Sequence, residues 1–334
     1  MGEHEFTVGK VALNRIARGP LARQQLLGQR VLNEALDGTA QRTSAISEVG
    51  TLAHDLVECG VGHHDIHPVG DQTLTQVVDE LYDELSVSVF RPKFCELEFS
   101  ARGALPGVAF AGERCRGVVE GFVDRVDVWQ SGGRPYVRVV DYKTGKKSFD
   151  YTNVLHGRGL QMLLYLFALV RQGGHLLHGE PLPAGVLYFP ARIERVSVRD
   201  RLAQAEIEKE RRKQLRRSGV LLNSDPVLEA MEPCGGSPRF LPYTLDKEGR
   251  KTGDLASFAQ LSQLERFVFR TVAALGDELA DGRIDPDPCI RDAKDSACAF
   301  CPYSEVCAGH EQPRWLKKIT AEEFWQTLER REHG

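Results

Sequence analysis

The chain has 334 residues, of which 42% are hydrophobic and 27% charged, with a formal net charge of −4 at pH 7. This length can bury a full core, as one large or two small domains, and the composition is ordinary for a soluble globular protein. The longest apolar run, Met162 to Val170, is too short to span a bilayer. The start, Met1-Gly-Glu-His-Glu, is polar and has no signal-peptide core. We therefore expect a cytoplasmic protein with no membrane partner.

Hydrophobic periodicity predicts helices and strands along the whole chain. The predicted helices are 20–36, 72–85, 159–170, 199–217, 257–280 and 320–332. The predicted strands are 93–102, 116–129, 134–143 and 184–190. Gly132-Gly133 predicts a hairpin between the second and third strands, and the apolar helix 159–170 separates the third from the fourth. The order predicts an α/β fold in which a mixed sheet with a crossover is flanked by helices.

Two carboxylates and a lysine stand on the predicted hairpin. Asp141 and Lys143 project from one face of their strand because successive strand side chains alternate, and Asp124 is carried by the preceding strand. An Asp-x-Lys pair alone is usually a weak surface ion pair. Here apolar flanks and the additional carboxylate favour a site for one divalent metal ion and one attacking water. Asp127 falls on the opposite strand face, where a salt bridge or a turn role is expected.

The ordered motifs resemble PD-(D/E)xK nucleases of the RecB type, and most closely the C-terminal nuclease domain of AddB-type subunits of bacterial helicase–nucleases. The resemblance covers about residues 46–310 and implies a core like that of restriction endonucleases. The motifs that carry it are Gly50-Thr-Leu-Ala-His54, Glu96-Leu-Glu-Phe99, Gly121 to Asp127, Val140 to Gly145, Gln161 to Tyr165 and Ala184 to Phe189.

The resemblance implies a role for each matching residue. His54, Asp124 and Asp141 would hold Mg²⁺ or Mn²⁺, and Lys143 would orient or activate the water. Gln161 and Tyr165, four residues apart on one helix face, would support the lysine and approach DNA. The implied function is a DNA nuclease of double-strand break repair and recombination, acting as an exonuclease on single-stranded ends. The alternative is a non-catalytic DNA-binding or scaffold module that keeps the fold.

A missing motif and the local charge bear on possible partners. The chain has no ATP-binding P-loop, so a helicase activity would come from another chain, and the resemblance implies an AddA-like helicase subunit. Basic residues between Lys209 and Arg217 either contact DNA or form a solvated helix face paired with Glu206, Glu208 and Glu210.

The C-terminal region carries clustered cysteines. Cys298, Cys301 and Cys307 follow the spacing C-x2-C-x5-C, and in a reducing cytosol such thiols indicate metal or iron–sulfur ligands. The resemblance implies a 4Fe–4S cluster, which takes four thiolates. The family's fourth cysteine lies upstream of the histidine motif, yet residues 1–53 contain none. Cys289, preferred for its proximity, and Cys59 are the substitutes, and a zinc site of Cys289 with the three clustered cysteines is the alternative.

Three regions are expected from these motifs. Residues 1–45 form a helical segment of open role, 46–285 the nuclease core with a helical insertion, and 286–334 a cysteine-rich staple with a terminal helix.

Overall fold

The computed structural model describes the chain in several stretches. These are residues 5–8, 70–143, 148–191, 204–291, 296, 298, 301–307 and 313–333. The helix predicted over 20–36, and the ligands predicted at His54 and Cys59, lie outside the described residues.

Both strands and helices occur along the described chain. The strands are β1 (Glu5–Val8), β2 (Arg91–Phe99), β3 (Val108–Ala111), β4 (Arg116–Val119), β5 (Gly121–Ser131), β6 (Arg134–Lys143), β7 (Leu182–Pro190), β8 (Ser218–Leu222), β9 (Tyr243–Leu245), β10 (Lys251–Gly253), β11 (Leu255–Ala256), β12 (Cys289–Ile290) and β13 (Arg314–Trp315). The helices are α1 (Gly70–Val87), α2 (Tyr151–Leu155), α3 (Gln161–Gln172), α4 (Gly174–Leu177), α5 (Gln204–Leu215), α6 (Asp225–Met231), α7 (Phe258–Ala280) and α8 (Ala321–His333).

A six-stranded sheet forms the centre of this structure. Its spatial order is β11-β8-β7-β6-β5-β2. Strands β2, β5 and β6 are antiparallel neighbours, whereas β6 and β7 run parallel. A parallel pair cannot be joined by a tight turn, and here the chain crosses over through α2, α3 and α4. The predicted mixed sheet with a crossover is confirmed.

The β5–β6 hairpin sets the register of the central strands. It turns at Gly132 and Gly133, whose φ angles are +57° and +76°. Positive φ at both central residues suits the tight turns that match strand twist, and glycine adopts it without a Cβ clash. The paired ladder runs from the turn to Arg125 opposite Val140. One step beyond that last pair, Asp124 stands opposite Asp141.

The strand predicted over 116–129 is wrong in one respect, because it forms two strands. Strand β4 joins a separate three-stranded sheet of order β1-β4-β3, and β5 joins the central sheet. The chain therefore changes sheets at Glu120, between β4 and β5. The helix predicted over 199–217 ends at Leu215, because Ser218 already begins β8 against β7.

The apolar helix α3 is the centre of the helical layer. Its residues from Met162 to Leu169 are buried, and it packs against β6, β7 and α7. Helix α8 closes the C-terminal side, where Phe324 lies 5.0 Å from the ring of Tyr151 between centroids. Among the helices that the structure describes, none has the length and apolar composition of a membrane span.

Candidate active site

Asp124 and Asp141 meet at the open end of the β5–β6 hairpin. The Tyr142 backbone N–H donates a hydrogen bond of 2.8 Å to Asp124 Oδ2. The Lys143 ammonium forms an ion pair with Asp141 Oδ2, and the Asp141 side chain is 10% exposed. Within the described part of the chain, this buried oxygen accepts no hydrogen bond beyond that ion pair. It therefore has a lone pair left for a further partner, and a divalent cation is one that suits the chemistry.

The charges of this site act on the Asp124 carboxyl. Burial raises the pKa of Asp124, the nearby Asp141 carboxylate raises it further, and the result is a pKa of about 7. The Tyr142 N–H and Lys143 oppose this shift without cancelling it. Two close carboxylates disfavour each other's ionisation, so ionising both Asp124 and Asp141 costs free energy. A cation bound between them would remove this electrostatic repulsion.

Gln161 and Tyr165 reach the same site from helix α3. Gln161 Nε2 donates to Tyr165 Oη at 3.3 Å, and the phenol also accepts a hydrogen bond from the backbone of Phe122. Burial raises the pKa of Tyr165, and both site carboxylates raise it further. A Cβ atom at Gly121 would lie only 1.9 Å from Tyr165 Oη. Glycine at this position therefore leaves the space that the tyrosine hydroxyl occupies.

Glu96 is a site residue to which the sequence patterns assigned no role. Cys95 pairs with Arg125 and Leu97 with Val123, so Glu96 faces Asp124 across the β2–β5 pair. Its carboxylate contributes to the raised pKa of Asp124. The φ angle of Glu96 is +49°, a left-handed conformation that costs about 1–3 kcal/mol in a non-glycine residue and clusters at functional sites. The signal in the sequence that could have identified Glu96 was its place in the Glu96-Leu-Glu-Phe99 motif.

Tyr188 lies next to Asp141 on strand β7, on the side away from Asp124. It pairs with Asp141 in the parallel β6–β7 ladder. Burial raises the pKa of the Tyr188 phenol, and the Asp141 carboxylate raises it further, so the hydroxyl remains protonated. Glu96, Asp124, Asp141 and Tyr188 thus occupy one row across four adjacent strands.

The salt bridge expected for Asp127 is confirmed on the opposite face of the sheet. Arg125 Nε lies 2.8 Å from Asp127 Oδ1, and Arg138 Nε lies 2.8 Å from Asp127 Oδ2. All three side chains are fully buried. Arg138 continues to Glu84 of α1 at 2.9 Å. Asp127 is therefore an element of a buried charge network and is separated by the sheet from the site carboxylates.

The basic stretch between Lys209 and Arg217 divides into two kinds of residue. Arg217 is buried and ion-paired with Glu80 and Glu84, and Arg216 donates to the backbone carbonyls of Leu241 and Tyr243. Lys213 pairs with Glu210 at 2.9 Å, as a solvated helix face would. The arginines after α5 are structural, because the chain turns inward there to enter β8.

The cysteines do not form a metal site in the described structure. Cys289 lies on β12, and Cys298 and Cys301 share a turn closed by a 3.3 Å backbone hydrogen bond. No three His, Cys, Asp or Glu side chains are placed to hold a metal within the described stretches. Those stretches include Cys289, Cys298, Cys301 and Cys307, so the arrangement of these four does not fit a metal site, whereas the other candidate, Cys59, lies outside them. At the hairpin site the described ligand candidates are Asp124 and Asp141, since His54 lies outside.

Comparison with known proteins gives consistent matches. The model of the PD-(D/E)XK nuclease superfamily matches residues 25–308. An ATP-dependent helicase/deoxyribonuclease subunit of Moorella thermoacetica is 33% identical over 291 residues, which are 84% of this chain and 25% of that protein. The corresponding helicase/deoxyribonuclease subunit of Clostridium kluyveri is 30% identical over 271 residues, 77% of this chain and 23% of that protein. The chain thus spans about a quarter of the length of the curated relatives it matches.

Proposed function

Because the chain belongs to the PD-(D/E)XK nuclease superfamily, we propose that it hydrolyses phosphodiester bonds of DNA with the help of a divalent metal ion. The observation that carries this proposal is the pairing of Asp124 with Asp141, beside Lys143, at the end of one hairpin. The mutual repulsion of these carboxylates helps to raise the pKa of Asp124 to about 7, and a bound cation would relieve it.

The chain's residues have distinct roles in this reaction. Asp124 and Asp141 would bind Mg²⁺ or Mn²⁺, together with His54 from the preceding motif. A bound ion of this kind neutralises phosphodiester charge and lowers the pKa of a coordinated water. Lys143, whose side chain is 26% exposed, holds a positive charge beside Asp141 and orients the attacking water. Gln161 and Tyr165 would support Lys143 and approach the DNA.

The relatives extend the proposal to a biological setting. They are named as subunits of an ATP-dependent helicase and deoxyribonuclease, and this chain corresponds to about a quarter of each. We propose that the chain acts on single-stranded DNA ends as an exonuclease in double-strand break repair, alongside an AddA-like helicase subunit. The support is the match in sequence over most of this chain.

End-labelled single-stranded DNA tests the activity. Cleavage is expected with Mg²⁺ or Mn²⁺ and none with EDTA, and Asp141→Ala and Lys143→Ala should each abolish it while circular dichroism and melting stay near wild type. Circular single strands separate exonuclease from endonuclease action, and a matched RNA strand reports the sugar preference. DNA binding without cleavage in both metals would refute the nuclease proposal in favour of the scaffold module.

A further inference from the structure

The site carboxylates are supported from the opposite face of the sheet by the buried charge network. We infer that Arg125 is a positioning residue, which acts through the hydroxyl of Tyr142 to fix the strand end that carries Asp141 and Lys143 beside Asp124. This inference rests on the proposed metal site. It goes beyond that proposal because it assigns a role to a side chain on the face that does not meet the substrate.

The place of Arg125 in the hairpin is the first observation. The β5–β6 ladder ends at the pair Arg125 and Val140. Beyond that pair, side chains join the two strands. Asp124 Oδ2 accepts from the Tyr142 N–H at 2.8 Å, and Arg125 Nη1 donates to Tyr142 Oη at 2.6 Å. Because Tyr142 stands between Asp141 and Lys143, fixing its ring on one face fixes its two neighbours on the other.

The guanidinium of Arg125 is itself held rigidly. Its Nη2 atom donates to Asp127 Oδ2 at 3.0 Å, and its Nε atom lies 2.8 Å from Asp127 Oδ1. One guanidinium nitrogen thus donates a hydrogen bond to the carboxylate and a second lies at ion-pair distance from it. These two contacts define the orientation of the planar group, so its remaining donor, Nη1, has a defined direction. The side chain is fully buried, which excludes water as a competing acceptor.

The network continues into the rest of the fold. Asp127 binds Arg138, Arg138 binds Glu84 of α1, and Glu84 also accepts from Arg217 Nε at 3.0 Å. Apolar side chains could join the same elements at lower desolvation cost, because burying charge costs several kcal/mol per ion. What the charged network adds is direction, since each hydrogen bond fixes the angle of the next group. Direction is what a two-carboxylate metal site needs from its support.

Tyr142→Phe tests the inference with the smallest change. The ring remains packed on Phe189, 5.3 Å away between centroids, while the acceptor for Arg125 is removed. Mn²⁺ affinity, measured by calorimetry on the whole chain, is expected to fall about tenfold. This is the lower end of the range for direct outer partners of metal ligands, because the Tyr142 hydroxyl acts on the ligands only through its strand. The kcat for single-stranded DNA is expected to fall similarly while KM is unchanged, because the substrate-facing groups are intact.

Tyr136→Phe is the matched control. Tyr136 lies on the same strand as Tyr142, and its ring packs on Trp129 at 5.3 Å. Removal of its hydroxyl should leave Mn²⁺ affinity, kcat and KM unchanged. Arg125→Lys keeps a cation beside Asp127 but cannot direct a second planar donor, so it should resemble Tyr142→Phe. Combining it with Tyr142→Phe should lower metal affinity little further, because both variants lose the same hydrogen bond between Arg125 and Tyr142.

The outcomes separate this inference from the proposed function. If the wild-type chain binds Mn²⁺ and cleaves, but Tyr142→Phe matches Tyr136→Phe in both respects, the positioning role is overturned and the nuclease proposal stands. If the wild-type chain binds no Mn²⁺, both are overturned. If Tyr142→Phe loses stability but retains metal affinity, the contact is structural and the inference is again overturned.

Discussion

Protons and a divalent metal ion compete for Asp124 in the proposed site. The pKa of Asp124 is raised to about 7 by burial and by Asp141. A metal ion binds the ionised carboxylate, so binding must displace a proton wherever the pH is below that pKa. The apparent metal affinity is then reduced about tenfold at pH 6 and about a hundredfold at pH 5, relative to pH 8. An aspartate with the ordinary pKa of 3.8 would show almost no change over this range.

Calorimetric Mn²⁺ titration at pH 5, 6 and 8 measures this dependence. Repeating the titration at pH 6 in two buffers of different ionisation enthalpy counts the protons released, and about one per ion is expected. His54 is also a predicted ligand, and an imidazole must lose its proton before it binds a metal ion. The variant His54→Ala therefore serves as control, and the slope that remains in it belongs to Asp124. An affinity that is equal at pH 5 and pH 8 would refute the reasoning.

The same pKa has a consequence for stability without metal. The folded-state pKa of Asp124 lies above the unfolded value of 3.8, so its contribution to stability is full below pH 3.8 and is lost as the pH rises through about 7. Asp124→Asn should therefore stabilise the metal-free protein at pH 8, by at most about 4 kcal/mol, while it weakens metal binding. Urea unfolding at pH 4 and pH 8 measures this, and equal stability changes at both pH values would contradict it.

Other consequences of the structure can be tested in parallel. Asp127→Ala leaves two buried arginines without their shared carboxylate and should cost about 3–5 kcal/mol in urea unfolding, and a cost near zero would contradict the network. The pKa of Glu84 is lowered to about 2, because the charges of nearby arginines outweigh the effect of burial. Its contribution of about 3 kcal/mol to stability should therefore be present above pH 4.5 and lost as the pH falls towards 2. Glu84→Gln should remove that part of the acid unfolding transition. Gly121→Ala would place a Cβ atom 1.9 Å from Tyr165 Oη, so it should displace Tyr165, destabilise the protein and lower kcat. Tyr165→Phe removes that oxygen, so the double variant should regain stability in thermal melting, and a double variant no more stable than Gly121→Ala would contradict the clash.

The placement of the candidate site residues could be inferred from sequence because its signals are local. Alternation along one strand places Asp141 and Lys143 on the same face, Gly132-Gly133 specifies the turn, and the helical interval places Gln161 one turn from Tyr165. These patterns depend on backbone geometry within a few residues, so they can be recognised in the sequence before the fold is known. The mixed sheet and its crossover could also be predicted, because they follow from the order of the helices and strands along the chain.

Tertiary structure decided the rest, because it depends on which distant side chains meet. Glu96 joins the site only through the β2–β5 register, and Arg125 acts on Tyr142 only because the hairpin ladder ends beside them. The inward path after α5 turns Arg217 from a predicted surface cation into a buried partner of Glu84. In each case the sequence displays an ordinary charged residue, and burial beside an opposite charge determines what that residue does.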